Sequence, residues 1–222
     1  MFGGGGQIGT ACVEALRAGG FETIATGRRG DDELGIAAYD AFVAPDQLPG
    51  DIPFNAVVWA QGANLNDSIV DFEVERHRAL YDANVLFVAE SLRALLKSDR
   101  VADGARLCVV SSVWQRVARV SKFSYMVTKA ALQGLVMSAA IDLAERNILI
   151  NAVLPGVLDT PMTRQNLTGE QIAHVAGMTP FGRLPAIGDV AALAAFLCSP
   201  ANNSITGQFV SVDLGFENAR LV

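Results

Sequence analysis

Short apolar runs rich in β-branched residues alternate along the chain with longer segments of helical period, the pattern of a parallel sheet covered by helices on both faces. The runs predict strands over 22–26 (ETIAT), 36–39 (IAAY), 56–59 (AVVW), 106–111 (RLCVVS), 149–154 (LINAVL) and 208–213 (QFVSVD). The helical periods predict a helix over 8–18, stopped by Gly19-Gly20, and two long helices over 80–96 and 125–146. The two long helices are apolar on more than one face, which calls for packing against the sheet or against a partner subunit. A last helix over 189–197 is expected to be capped by Asp189. Residues 155–188 are rich in Pro, Gly and Thr and lack strong periodicity, as binding loops of α/β domains do.

Composition narrows the class without changing this outline. At 222 residues, 51% hydrophobic and 18% charged, the chain is expected to form one α/β domain, 1–222, able to bury a sizeable core. A net charge of -6 argues against nucleic acid as a partner, because such binding needs a basic patch. Cys12, Cys108 and Cys198 are far apart and odd in number, so free buried thiols in a reducing, cytoplasmic compartment are expected. No apolar run long enough to span a bilayer and no signal-peptide pattern is seen, so no membrane partner is expected. His77 and His174 have no metal-ligand spacing, and no metal site is expected.

The first candidate chemistry is the start, MFGGGGQIG. Its glycines fit G-x-G-x-x-G as Gly4, Gly6 and Gly9, followed at once by a helix, which suits a pyrophosphate on a helix N-terminus. Taken alone, the run fits a flexible terminus equally well.

The second is Ser112 together with Tyr125 and Lys129 in SYMVTKAAL. Tyr and Lys four positions apart share a helical face, which puts an ammonium beside a phenol. A free tyrosine has a pKa near ~10, and a neighbouring cation favours its phenolate, making it a usable proton donor and acceptor near neutrality. Ser112 lies at the end of the strand VVSSV, where ligands bind in open parallel sheets, and Asn84 in YDANVLF falls near the same crevice.

With these residues in place the sequence resembles the short-chain dehydrogenases/reductases, single-domain NAD(P)-dependent oxidoreductases. The likeness runs from the glycine turn to Phe216 and is most specific from Ser112 to Met162. It implies a Rossmann-like, doubly wound parallel sheet and a catalytic tetrad of Asn84, Ser112, Tyr125 and Lys129. In the roles it implies, Tyr125 exchanges a proton with the substrate oxygen and Ser112 hydrogen-bonds that oxygen. Lys129 lowers the phenol pKa and holds the nicotinamide ribose, while Asn84 holds a water that links Lys129 to a proton relay.

The resemblance further implies cofactor contacts from Gly3, Gly4, Gly6, Gln7, Ile8, Gly9, Gly62, Tyr125, Lys129, Pro155, Gly156 and Thr160, with Asp40 against the adenine. At the end of the second strand, TGRRG, an Arg pairs with the 2'-phosphate of NADP where an acid would hold the 2'-hydroxyl of NAD. Gly27 stands in the acid's place with Arg28 after it and Arg29 as a second contact, so NADP(H) is favoured and NAD(H) is the alternative. The expected substrate is a small carbonyl or secondary alcohol, of ketone or 3-oxoacyl type. A homodimer or homotetramer built on the two long helices is also implied. A non-catalytic nucleotide-binding or regulatory protein that has kept the fold is the rival reading.

Departures from the family pattern carry expectations of their own. Phe2 and Gln7 replace a Thr and a Gly of T-G-x-x-x-G-x-G, and Trp59-Ala60-Gln61-Gly62 keeps only the last residue of N-N-A-G. The link from Arg28 to Asp40 is too short for the usual helix. A central strand needs about 5–6 residues, and Met1 and Phe2 cannot supply it, so the first strand is expected to be largely absent. Either the protein begins upstream, or it lacks that strand and binds cofactor poorly.

Overall fold

The computed structural model describes residues 1–160, 163–164 and 168–219. The strands are β1 (Ala25–Gly27), β2 (Ile36–Ala38), β3 (Phe54–Trp59), β4 (Val101–Val110), β5 (Leu149–Pro155) and β6 (Phe209–Val212). All pairings between them are parallel, β1 with β2 and β3-β4-β5-β6 in order. The helices are α1 (Gln7–Ala18), α2 (Val74–Tyr81), α3 (Phe87–Lys97), α4 (Phe123–Asp142), α5 (Gly169–Gly177) and α6 (Ile187–Cys198). No helix among the described residues is long and apolar enough to cross a membrane.

Side-chain alternation along the strands divides the core in two. Val57, Trp59, Leu107, Val109, Ile150, Ala152 and Leu154 pack with α3 and α4, through Val88, Leu92, Leu132 and Val136. Val58, Cys108, Val110 and Val153 point the other way, onto Cys12 and Leu16 of α1 and Val190, Ala194 and Leu197 of α6. All three cysteines are buried free thiols, as expected.

The first four residues join the two halves of the sheet. Phe2 bridges Thr26 on one side and Trp59 on the other, both in parallel sense. Its amide donates to the Val58 carbonyl at 2.9 Å and its carbonyl accepts from Ala60 at 3.0 Å, while Thr26 donates to the Met1 carbonyl at 2.8 Å. The segment therefore fills the top of the central strand position, giving the order β2-β1-(1–4)-β3-β4-β5-β6. The Phe2 ring anchors this segment, stacked 5.7 Å from Trp59 and set 5.3 Å from Tyr39 and 5.8 Å from Phe87. Below Met1 the gap between β1 and β3 continues as a narrow cavity of about 50 Å³. Residues 22–24 border it, which is why β1 begins at Ala25 rather than at 22.

Other elements differ from the periodic reading for local reasons. β4 starts at Val101, earlier than expected, because Val101 and Ala105 are buried in the core and keep the chain extended through an irregular stretch, with Gly104 at φ +75° and a register shift opposite Phe54. The helix expected over 80–96 begins at Val74, since its first turns are solvent-facing and polar, and a π-helical turn, Asp82–Leu86, separates α2 from α3. α5 forms inside the segment expected to be irregular, started by a reciprocal cap between Thr168 and Gln171. Asp189 sits in the first turn of α6 rather than before it, and its carboxylate accepts the Ala186 amide at 2.9 Å. Between β1 and β2 the chain runs in turns with no helix, as the short link required.

Candidate active site

The loops leaving β1, β3, β4 and β5 open at the carboxyl edge of the sheet. The chain order reverses between residues 1–4 and β3, which makes that gap the switch point where an open α/β sheet binds ligands. Two cavities flank it.

The first, of about 300 Å³, is lined by Ile8, Ser112, Trp114, Tyr125, Pro155, Gly156 and Thr163 among others. Ser112 follows β4, and its hydroxyl accepts the Trp114 amide at 3.3 Å, capping a 3-10 turn. Tyr125 and Lys129 lie on α4, with the Lys129 ammonium 5.6 Å from the phenol ring centroid and donating to the Val110 carbonyl at 3.3 Å. Asn84 lies in the π-helical turn, a local widening that recurs at functional sites. Its side chain accepts the Ala63 amide at 2.8 Å and donates to the Thr128 hydroxyl at 2.9 Å, tying the loop after β3 to α4. A Cβ on Gly62 would stand 3.2 Å from the Asn84 Oδ1 and 3.7 Å from the Lys129 Nζ, so this glycine roofs both. The fold thus gathers all four tetrad candidates, Ser112 and Tyr125 at the cavity wall and Lys129 and Asn84 behind them.

The electrostatics differ from the expected depression of the phenol. Burial pushes Tyr125 up to about 12, outweighing the lowering by the Ser112 hydroxyl. Burial also draws Lys129 down to about 8. Without a negative neighbour, desolvation decides both values.

The second cavity, of about 460 Å³, is lined by Gly3, Arg28, Tyr39, Asp40, Gln61 and Gly62 among others. Arg28 and Asp40 both line it, and the Asp40 carboxylate also accepts the Phe42 amide at 2.9 Å, so it shapes the turn as well. Arg29 is exposed and does not line it.

The glycine run is a tight turn into α1. Gly3 has φ +75°, and a Cβ there would lie 2.5 Å from the Gln61 amide nitrogen; one on Gly9 would lie 1.9 Å from the Gly3 carbonyl oxygen. A Cβ on Gly4 would meet that of Ala25 at 2.7 Å, whereas Gly6 has 3.4 Å of room. The sterically required glycines are Gly3, Gly4 and Gly9, which corrects the Gly4-Gly6-Gly9 frame. Gly6 precedes α1, and Gln7, Ile8 and Gly9 form its first turn, whose amides have no acceptor within the helix.

Pro155 and Gly156 end β5 on the wall of the first cavity, where a Cβ on Gly156 would press to 2.9 Å from that of Asp213. The Thr160 hydroxyl is engaged with the Thr163 amide and hydroxyl, each at 3.0 Å, and Thr163 lines the cavity wall. Pro161 and Met162, the end of the most family-like stretch, lie outside the described residues.

Sequence reasoning missed Asn64, Asn66 and Lys122 at the first cavity, Gln61 at the second, and Asp67 behind α4. Asp67 accepts the Ser124 amide at 2.9 Å and also binds the Ser124 hydroxyl, which contacts His77 Nδ1 at 2.8 Å. His77, which has no metal-ligand spacing, thereby links α2 to α4. The polar run N-L-N-D just after Gly62 was the available signal.

Comparison with known proteins is consistent with this geometry. A family model described as enoyl-(acyl carrier protein) reductase matches residues 49–217. A 3-oxoacyl-[acyl-carrier-protein] reductase of Aquifex aeolicus is 30% identical over 94% of this chain and 92% of its own length. Two tropinone reductase homologues of Arabidopsis thaliana are 31% and 33% identical over 73% and 69% of this chain. The matches span only 62% and 48% of those two relatives. Among solved structures, an aldohexose dehydrogenase of Thermoplasma acidophilum superposes with TM-score 0.88 at 24% identity, over 100% of this chain and 94% of its own. A gluconate 5-dehydrogenase of Burkholderia cenocepacia, in complex with NADP and tartrate, gives 0.87 at 23% identity, over 99% and 94%.

Proposed function

The chain belongs to the short-chain dehydrogenase/reductase family, and from that membership we propose that it is an NADP(H)-dependent oxidoreductase interconverting a carbonyl and a secondary alcohol. The observation that carries the reading is the meeting of Ser112 and Tyr125 at one cavity wall, with Lys129 and Asn84 directly behind.

The residues suit the cofactor on three counts. The turn from Gly3 to Gly9, tight at Gly3, Gly4 and Gly9, leads straight into the free amides of the first turn of α1, where a pyrophosphate would lie. Both side-chain polar atoms of Gln61 are buried with no hydrogen-bond partner beside the second cavity, which suits a polar group bound there. Arg28 at that cavity offers a fork for a 2'-phosphate and favours NADP(H) over NAD(H). When bound, the cofactor supplies the hydride.

The protein's own work is positioning and proton transfer. Ser112 donates a hydrogen bond to the substrate oxygen as negative charge gathers on it. Tyr125, protonated through the neutral range because burial raises it to about 12, delivers its proton to that oxygen. Lys129 is the cation that stabilises the resulting phenolate. This protonation state suits the reductive direction. Relatives named as reductases and as a 7alpha-hydroxysteroid dehydrogenase support the reaction class.

A homodimer or homotetramer is supported by exposed apolar residues on the outer helices, with Leu86 40%, Met137 52% and Ile141 76% exposed, and is checked by the mass from light scattering. The function itself is tested by following nicotinamide absorbance over a panel of ketones and alcohols with the native protein and Tyr125→Phe. Turnover by the native protein that drops by about 10²–10⁴ in the variant is expected. Equal rates would refute the assigned chemistry.

A further inference from the structure

The catalytic cavity contains a lysine that the tetrad does not use. Lys122 precedes α4, three residues before Tyr125, and its side chain lines the cavity although the residue is only 6% exposed. Its ammonium donates to the side-chain oxygens of Asn64 and Asn66, each at 2.6 Å, and stands 5.5 Å from the Tyr125 ring centroid. Those partners are neutral, and among the described residues no carboxylate reaches it within ion-pair distance. An ammonium has three donors, so two hydrogen bonds leave one N–H over.

A second cation borders the same space. Arg119 lines the cavity with its guanidinium 5.6 Å from the Trp114 ring centroid, a stacking that holds a planar cation in place. It too has no ion-pair partner among the described residues. Arg116, nearby in sequence, does not join it, being bound to Glu217 at 2.9 Å and to the Phe209 carbonyl at 2.8 Å. The described lining of the cavity holds no Asp or Glu. Glu170 and His174 lie on the adjoining cavity, which shares Trp114 and Arg119.

Burying a cation without a counter-ion is costly. Lys122 carries the mark of that cost, drawn down to about 8 by burial first and by Arg119 second, with Asp67 opposing. At neutral pH it still holds its proton. A charged, nearly buried ammonium beside a second cation, facing a cavity whose described lining holds no acid, is a place that would receive an anion.

We infer that this cavity takes an anionic substrate, a short oxo-acid or the matching hydroxy-acid, whose carboxylate is bound by Lys122 with Arg119 as the second cation. The inference rests on the oxidoreductase reading above and names the substrate class for that site. The closeness of the ammonium to the Tyr125 ring requires the carboxylate to lie near the reacting carbonyl, which points to short acids rather than long-chain ones. In the reductive direction the C=O bond becomes CH–OH: a hydride from NADPH reaches carbon, the proton of Tyr125 reaches oxygen, and NADPH is oxidised.

The test uses two matched pairs of probes, acetoacetate and levulinate, each against its methyl ester. Steady-state kcat/KM is measured with NADPH for the native protein, Lys122→Met, Lys122→Arg and Arg119→Gln. The acid-over-ester ratio is expected to favour the acid in the native protein, to fall about tenfold or more in Lys122→Met, the size of a charged hydrogen bond, and to recover partly in Lys122→Arg. Equal losses for acid and ester would mean that Lys122 only props the Asn64–Asn66 loop, and would overturn the inference.

A second arm needs no turnover. Calorimetric binding of the same probes to Tyr125→Phe loaded with NADPH should favour the acids, and should lose that preference when Lys122→Met is added. Equal affinity for acid and ester, including no detectable binding of either, overturns the inference. If that double variant fails to fold, Arg119→Gln and the acid preference of Tyr125→Phe itself decide the matter. Failure of every carbonyl to turn over, with acid-selective binding intact, would refute the oxidoreductase reading while leaving the anion site standing.

Discussion

Asp67 holds Ser124 at two points, taking its backbone N–H at 2.9 Å on one carboxylate oxygen and its hydroxyl on the other. Ser124 is fully buried and immediately precedes Tyr125, so this pair fixes the start of α4 from a loop more than fifty residues upstream. The four N-terminal amides of a helix lack intrahelical acceptors, and Lys122 at the cap position of α4 makes no side-chain cap. Asp67 does the capping from a distance. Replacement by Ala should cost about 1–3 kcal/mol, the penalty for leaving buried polar groups unmatched, read from the urea midpoint at constant m. Asp67→Asn, which keeps one acceptor, should lose less. Lower stability without that ranking would contradict the capping role.

Gly9 should tolerate no side chain. In Gly9→Ala the new Cβ would sit 1.9 Å from the Gly3 carbonyl oxygen, which is backbone and cannot swing away. The turn must open, so NADPH affinity should fall at least about tenfold, alongside the ~1–3 kcal/mol typical of overpacking. Gly5→Ala is the control, because its Cβ meets only the tip of Ile36 at 3.0 Å. Fluorescence titration with NADPH compares the two.

Arg28 should set the choice of cofactor. Hydrogen bonds to charged groups are worth about 1.5–3 kcal/mol, so Arg28→Ala should weaken NADPH by roughly 10- to 100-fold and leave NADH nearly unchanged. Parallel loss of both cofactors would assign Arg28 to the shape of the loop instead. Arg29→Ala, outside the cavity wall, should change neither by more than about twofold.

Stability should rise from pH 7 to about 9 and fall again by pH 11. Lys122 and Lys129 are lowered to about 8 in the folded chain from 10.5 in the unfolded one. Above pH 8 the unfolded state therefore holds more protons than the folded state, and stability climbs with pH. Cys12 is raised to about 12 from 9.0, and Tyr39 and Tyr125 to about 12 from 10.0. These groups ionise first in the unfolded chain above pH 9 to 10, which reverses the slope. Urea midpoints at pH 7, 9 and 11 check the sign on both sides, and in Lys129→Met the rise between 7 and 9 should shrink.

Much of this protein was legible in one dimension because the determining physics is local. Burial on both faces of a parallel strand writes AVVW and the LCVV of RLCVVS as unbroken apolar runs, and a helical face writes Tyr125 and Lys129 four positions apart. The glycine turn, the tetrad candidates and the missing helix between β1 and β2 followed from spacing and from family likeness. The tertiary structure decided what depends on residues distant in sequence. It gave the central strand position to Met1–Gly4, where Phe2 stacks on Trp59 and packs against Tyr39, rings that no sequence window holds together. It moved the steric demand from Gly6 to Gly3, since that demand comes from Gln61 and from the opposite side of the turn. It raised the phenol of Tyr125, because desolvation depends on everything packed around a group and not on its chain neighbours. And it set Lys122 against Asn64 and Asn66 at the cavity that Ser112 and Tyr125 line, a contact across more than fifty residues that only the closed fold creates.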